Sequence, residues 1–253
     1  MTRLTFLGTG TSQGVPMIGC GCEVCRSEDP RDKRLRASVY VEHEGLRILV
    51  DAGPDFRYQM LREGISGVDA ILLTHNHKDH VGGLDDIRAF NYHEKKATQI
   101  YCEKHVEDSL RMEYSYAFAE KKYPGAPEWN VNLIDNEPFV INGVEIIPIR
   151  GMHYKLPVLG YRFGNIAYCT DMNYIPDEEF NKLKGLDHFI INCVRRGKHI
   201  SHYSLEEAVE VASKVGAKHT WLTHLSHQLP PHAELTAELP QGILPAYDGL
   251  IIK

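Results

Sequence analysis

Three histidines and an aspartate fall within six consecutive positions, His75-Asn76-His77-Lys78-Asp79-His80. The apolar run Ala70-Ile71-Leu72-Leu73 before them reads as a buried strand. Gly82-Gly83 after them reads as a turn into a helix that Leu84-Asp85-Asp86-Ile87 opens and that runs to about Asn91. The polar residues therefore leave a strand end on a loop held at both sides. In an extended loop alternate residues point the same way, so His75 and His77 reach one ion. Asp79 and His80 lie past the bend and face a second ion. Neutral imidazole and carboxylate oxygen are what a divalent metal of borderline softness takes, at roughly 2.0–2.2 Å. A solvated polar loop has no need for such a concentration of ligand atoms.

The rest of the chain contains more groups of this kind. Cys20-Gly21-Cys22-Glu23-Val24-Cys25 gathers three thiols within one short stretch. A closed zinc site wants four ligands, so this stretch is one short of a site and otherwise reads as three free thiols. Six cysteines in 253 residues, three of them dispersed, do not make a disulfide framework. With no export signal in the opening residues, reduced thiols and a cytoplasmic setting are expected. No apolar run reaches the roughly 18–20 residues of a spanning helix. Twenty-eight basic against 34 acidic residues give a net charge of −6, which argues against broad electrostatic binding to nucleic acid or an anionic membrane. The length exceeds the usual single domain, but a layered α/β sandwich holds it as one, residues 1–253.

Strand ends supply the remaining candidates. Leu4–Leu7 is a first strand, followed by the loop Gly8-Thr9-Gly10-Thr11-Ser12-Gln13-Gly14, which serves either as a plain connection or as backbone for an anion. Ala37–Glu42 and Leu46–Val50 form a hairpin around a turn that leaves His43 solvated; Asp51 follows it and is expected to orient metal-bound histidines rather than bind the ion. Phe56–Glu63 is a helix. Phe139–Ile149 turns at Asn142-Gly143, the strongest short hairpin cue, and delivers His153. Leu159–Phe163 and Asn165–Cys169 make another hairpin that delivers Asp171. Cys169 is an alternative ligand there, but Asp171 is preferred because a carboxylate has two oxygens with which to bridge a pair of ions. Ser204 with Glu207 makes a capping box for the next helix, placing His202 just ahead of it, free to project into a cleft. Arg195, Arg196 and Lys198 beside it either steer a phosphate or form a solvated loop. Thr220–Leu222 is a strand ending at His224, and Leu244–Ile252 supplies one last strand. Residues 92–137 read as a lid or substrate-facing insertion, or as a surface helix. His93 and His105 read as surface residues.

The His-x-His-x-Asp-His stretch after a buried strand resembles the signature of the metallo-β-lactamase fold superfamily. The resemblance implies a four-layer αββα sandwich, an α/β (α+β) fold with two mixed sheets flanked by helices. It also implies a dinuclear site in which His75, His77 and His153 hold one ion, Asp79, His80 and His224 the other, and Asp171 both. The opening Leu7–Pro16 with Cys20, Cys22 and Cys25, and the ending Thr223-His224-Leu225-Ser226-His227, are similar to the phosphoribosyl cyclic phosphodiesterases of phosphonate breakdown. These stand on the phosphodiesterase side of the superfamily, with the tRNA 3′-processing endonucleases. That likeness implies a structural zinc on Cys20, Cys22, Cys25 and His227, and a catalytic histidine at His202. It implies hydrolysis of a small or cyclic phosphodiester by a hydroxide bridging two zinc or manganese ions, with His202 and Asp79 the catalytic groups and a homodimer admitted. Other readings of the same ligands are a thioesterase, an RNA-processing nuclease and a non-catalytic carrier of cofactor biosynthesis.

Overall fold

The computed structural model describes residues 2–253. Two seven-stranded sheets lie face to face. The first contains β1 (Thr2–Gly8), β2 (Ser38–His43), β3 (Leu46–Val50), β4 (Ala70–Leu72), β5 (Thr98–Cys102) and β6 (Trp129–Leu133), with β14 (Ile251–Ile252) beside β1. The second contains β7 (Phe139–Ile141), β8 (Val144–His153), β9 (Leu156–Phe163), β10 (Ile166–Cys169), β11 (His188–Asn192), β12 (His219–Thr223) and β13 (Ile243–Pro245). Both sheets are mixed: β1, β2 and β3 pair antiparallel and β3 to β6 parallel, while β7 to β10 pair antiparallel and β10 to β13 parallel.

The alternation of side chains along these strands explains the layering. On β3, Ile48 and Val50 face the space between the sheets, where they meet Leu159, Tyr161 and Phe163, while Leu49 faces outward. On β11, Ile190 joins the inter-sheet core and Phe189 and Ile191 face the opposite side. A strand apolar on both faces must be covered on both. The helices supply the outer cover. They are α1 (Glu23–Arg26), α2 (Phe56–Glu63), α3 (Lys78–Val81), α4 (Arg88–Glu94), α5 (Lys104–Glu113), α6 (Ser115–Phe118), α7 (Leu205–Val215) and α8 (His232–Glu238). α2, α4 and α5 bury Phe56, Met60, Phe90, Val106 and Leu110 against the first sheet, and α7 and α8 bury Leu205, Ala208, Ala212 and Leu235 against the second. The result is the expected helix–sheet–sheet–helix sandwich. Among the described residues no helix is long and apolar enough to cross a membrane.

Four local expectations are corrected. Leu244–Ile252 is not one strand: β13 belongs to the second sheet and β14 to the first, and the chain crosses between them at Tyr247–Leu250. Buried Asp248 anchors that crossing by accepting from Thr9 Oγ1 and the Leu35 amide, both at 2.8 Å. His43 is buried rather than solvated, because strand register sets it opposite Thr2, whose hydroxyl lies 2.8 Å from His43 Nδ1. The helix expected over Leu84–Asn91 begins as a 3-10 turn, Leu84–Ile87, before α4. Finally, 92–137 is not merely a surface helix, since it carries β5 and β6, two parallel strands at the edge of the first sheet, with α5 and α6 between them. His93 is exposed as expected, whereas His105 is half-buried.

Candidate metal centre

Every candidate side chain of the paired site arises at the carboxyl end of a strand, the end where open α/β sheets receive ligands. Asp51 follows β3, Thr74 to His80 follow β4, His153 ends β8, Asp171 follows β10 and His224 follows β12. Contacts across the sandwich lock these ends together: the Leu159 amide donates to Thr74 O at 3.1 Å, and Tyr161 OH donates to Leu73 O at 2.7 Å. The loop itself is pressed against its neighbour. A Cβ at Gly53 would stand 2.0 Å from Asp79 O, and one at Gly83 would stand 2.1 Å from Gly53 O, so only glycine admits this approach.

The structure gathers the expected residues into two adjoining groups, His75, His77 and His153 in one and Asp79, His80, Asp171 and His224 in the other, with ligand atoms within 4.8 Å in each. Asp171 faces both. Its Oδ1 lies 3.3 Å from His80 Nε2 and 3.0 Å from His224 Nδ1, while Oδ2 lies 3.9 Å from His75 Nε2. Cys169 is buried within the core behind the second sheet instead. His202 joins His153 and Asp171 in a third overlapping group, its ring 4.6 Å from that of His153.

The outer hydrogen bonds fix which nitrogen each histidine offers. A carboxylate only accepts, so His80 Nδ1–H donates to Asp51 Oδ2 at 2.7 Å. Thr74 Oγ1 donates to the same oxygen at 2.8 Å and therefore accepts from His75 Nδ1–H at 2.9 Å. Asp51 thus orients one histidine of each group, directly or through Thr74, as partners behind metal-bound imidazoles do. His153 Nδ1–H donates to Ser201 O at 2.7 Å. The inward atoms His75 Nε2, His80 Nε2 and His224 Nδ1 are buried with no hydrogen-bond partner. Buried nitrogens left without partners are costly unless a cation takes their lone pairs.

Charge gives a second test of fit. Burial alone would discharge His80, but Asp171, Asp79 and Asp51 around it outweigh burial and hold its pKa well above the ordinary value. Burial likewise opposes the Asp171 charge, and His224 and His80 overcome it, keeping the carboxyl well below its usual range. Three carboxylates converging here demand positive charge, which a divalent cation supplies while leaving the imidazoles neutral. Burial pushes His75 down, so it is ready as a neutral donor.

Two positioning features were not read from the sequence. Asn192, wholly buried at the end of an apolar strand, accepts from Met172 N at 2.7 Å and donates to Met172 O at 2.9 Å, pinning the backbone after Asp171. Asp51, Asp171 and His224 also sit at left-handed φ of 63°, 54° and 56°. That conformation is uncommon outside glycine and clusters at functional positions. A lone polar residue closing an apolar strand was the only available signal for Asn192.

The cysteine stretch finds its fourth member in His227, with all four ligand atoms within 4.8 Å. Cys20 Sγ and Cys22 Sγ each lie 3.4 Å from His227 Nδ1. A tetrahedral zinc with its usual Zn–S and Zn–N bonds separates such atoms by about 3.5 Å. The Cys25 amide and then His227 lower the Cys22 thiol to about 6, favouring the thiolate. Of the basic residues beside His202, Arg196 pairs with Glu238 on α8, and Arg195 Nη2 donates to Lys198 O.

Replacing Asp51 with asparagine tests the outer shell. The amide keeps the size but cannot accept from both His80 and Thr74 while also accepting from the Thr74 amide on its other atom. Metal affinity or activity is expected to fall about 10- to 100-fold, measured by competition with a chromogenic chelator; unchanged affinity would remove Asp51 from this role.

A four-layer sandwich with histidine–aspartate groups across its strand ends defines a class, the metallo-β-lactamase-fold hydrolases. Residues 46–225 match the family model described as beta-lactamase superfamily domain. The crystal structure of a diphosphatase from the PhnP family superposes with a TM-score of 0.93 at 41% identity, covering 99% of this chain and 96% of that one. The chain belongs to the beta-lactamase superfamily and, at that identity and coverage, to its PhnP family. It is also 45% identical over 251 residues to the octanoyltransferase of Porphyromonas gingivalis, covering 98% of this chain and 51% of that protein. The chain thus spans about half the length of this curated relative. Zinc-bound PqqB from Methylobacterium extorquens shares the fold, with a TM-score of 0.79 at 18% identity and 99% of both chains covered.

Proposed function

We propose that the protein hydrolyses a small or cyclic phosphodiester at a pair of divalent metal ions, zinc or manganese, with a structural zinc on Cys20, Cys22, Cys25 and His227. The observation that carries the reading is Asp171, whose two oxygens face separate histidine groups. His75, His77 and His153 would hold one ion, Asp79, His80 and His224 the other, and Asp171 would touch both. Bound there, such a pair supplies Lewis acidity and makes water ionisable near neutral pH. The chain does the rest. Asp51, Thr74 and Ser201 keep the imidazoles aimed inward. His202, partly exposed beside His153 and Asp171, contacts the phosphoryl oxygens or passes a proton to the departing alkoxide. All six cysteines are free, which fits a reducing compartment such as the cytoplasm.

An acyl hydrolase on the same residues is the second reading, favoured by the name of the Porphyromonas relative. One assay separates the two: turnover of bis(p-nitrophenyl) phosphate and of a chromogenic thioester, each with and without chelator. Chelator-sensitive cleavage of the phosphodiester alone is expected; cleavage of the thioester alone would reverse the order, and cleavage of neither would favour a carrier.

A further inference from the structure

Asp79 and His80 stand on α3, a helix of only four residues. A single turn has little stability of its own, so what packs around it decides where its side chains point. Its last carbonyls have no partner within the helix. Two outside donors take them: Ala52 N donates to His80 O, and Tyr114 OH donates to Val81 O, both at 2.8 Å. The first donor belongs to the turn after β3 that also carries Asp51. The second reaches α3 from a different part of the fold.

Tyr114 lies between α5 and α6 and is buried, its ring edge-on to that of Trp129 on β6 at 5.5 Å. The hydroxyl is therefore held by the edge of the first sheet. Its neighbours touch the same segment. Glu113 pairs with Lys78, whose ammonium stands 5.3 Å from the centre of the Tyr114 ring, and Tyr116 OH donates to Asp85 Oδ1. Glu113, Tyr114 and Tyr116 thus meet Lys78, Val81 and Asp85 in turn. The two outer contacts are exposed, where water and salt screen them, whereas the Tyr114 bond is buried.

We propose that Tyr114 is a positioning residue: its hydroxyl fixes α3 so that Asp79 and His80 meet their ion, and it sets the affinity for that ion more than for the other. The inference rests on the paired-metal reading. His75 is held through Thr74 by Asp51, and His153 by Ser201 O, neither of them through α3. Loss of the Tyr114 bond therefore reaches their ion least.

Tyr114→Phe keeps the ring on Trp129 and removes the donor alone. Zinc is titrated into the metal-free protein against a competing chelator, while imidazole nitrogen NMR signals of His153 and His224 report the two ions separately. The variant is expected to bind the ion seen at His224 about three- to tenfold more weakly, the usual worth of a neutral hydrogen bond. The ion seen at His153 should stay within about twofold of the wild type. A merely structural role would lower the melting temperature and leave the ratio of the two affinities unchanged, and that result overturns the proposal. In the metal-free protein the amides of Val81 and Gly82, which donate to His77 O and Lys78 O, should exchange hydrogen at least about threefold faster in the variant. Glu113→Gln, at the exposed pair, should move both affinities by less than about twofold. A larger shift there than in Tyr114→Phe would assign the role to the ion pair and overturn the proposal. A wild type that takes no ion at His153 or His224 removes the paired-metal reading. The amide exchange then decides alone: equal rates in the wild type and Tyr114→Phe overturn the hold of Tyr114 on α3.

Discussion

Asp171→Asn and Asp171→Ala are expected to lose turnover and the paired metals together. The carboxylate is buried, and its two oxygens point to His80 and His224 on one side and to His75 on the other. Among the described residues no other carboxylate lies within 4 Å of histidine nitrogens of both groups. Removing its charge takes one negative ligand from each position and leaves His80 facing two carboxylates instead of three. The loss should exceed the roughly 10²–10³-fold that a single electrostatic group is worth at an active site. The two variants divide the causes. Asn tolerates the left-handed φ of 54° at this position, whereas Ala adds strain there. Asn therefore reports the missing charge, and any further drop in melting temperature of the Ala variant reports the backbone. Metal content by atomic emission and hydrolysis of bis(p-nitrophenyl) phosphate check the outcome. An Asn variant that retained both ions and full turnover would remove Asp171 from the bridge.

How much of this was legible follows from distance along the chain. His75, His77, Asp79 and His80 lie in one loop, where extended backbone and a helical turn dictate which way each side chain points, so the local sequence suffices. His153, Asp171 and His224 come from strands of the other sheet, and only their order and a family likeness gathered them. The relay from His75 through Thr74 to Asp51 needs two strand ends brought side by side by the β3–β4 pairing, which no local pattern encodes. His43 was misread because a turn residue that is polar looks solvated until strand register sets it against Thr2. The strands β5 and β6 within 92–137 were missed because both are short and partly polar, and their alternation is weak beside the helices around them. The passage from β13 to β14 was missed for a related reason: continuous apolar spacing conceals a change of sheet that Asp248 alone marks.

The cysteine site predicts a large effect of a different kind. Cys20, Cys22 and Cys25 lie near the amino end and His227 lies after β12, so an ion held by all four ties together segments about two hundred residues apart. Little else covers this corner, since its apolar cluster is small, with Val15, Val24 and Cys25 its buried members. A site that forms only in the folded state contributes its binding free energy to folding. Cys22→Ser removes a thiolate in contact with His227 and is expected to release that ion and cost roughly 4–5 kcal/mol. For a chain of this size the loss amounts to a drop of about 8–20 °C in melting temperature. The paired groups do not include Cys22, so two ions per chain should remain where three are expected in the wild type. Three metals per chain in a folded Cys22→Ser protein, or an unchanged melting temperature after their loss, would contradict a structural role for the cluster.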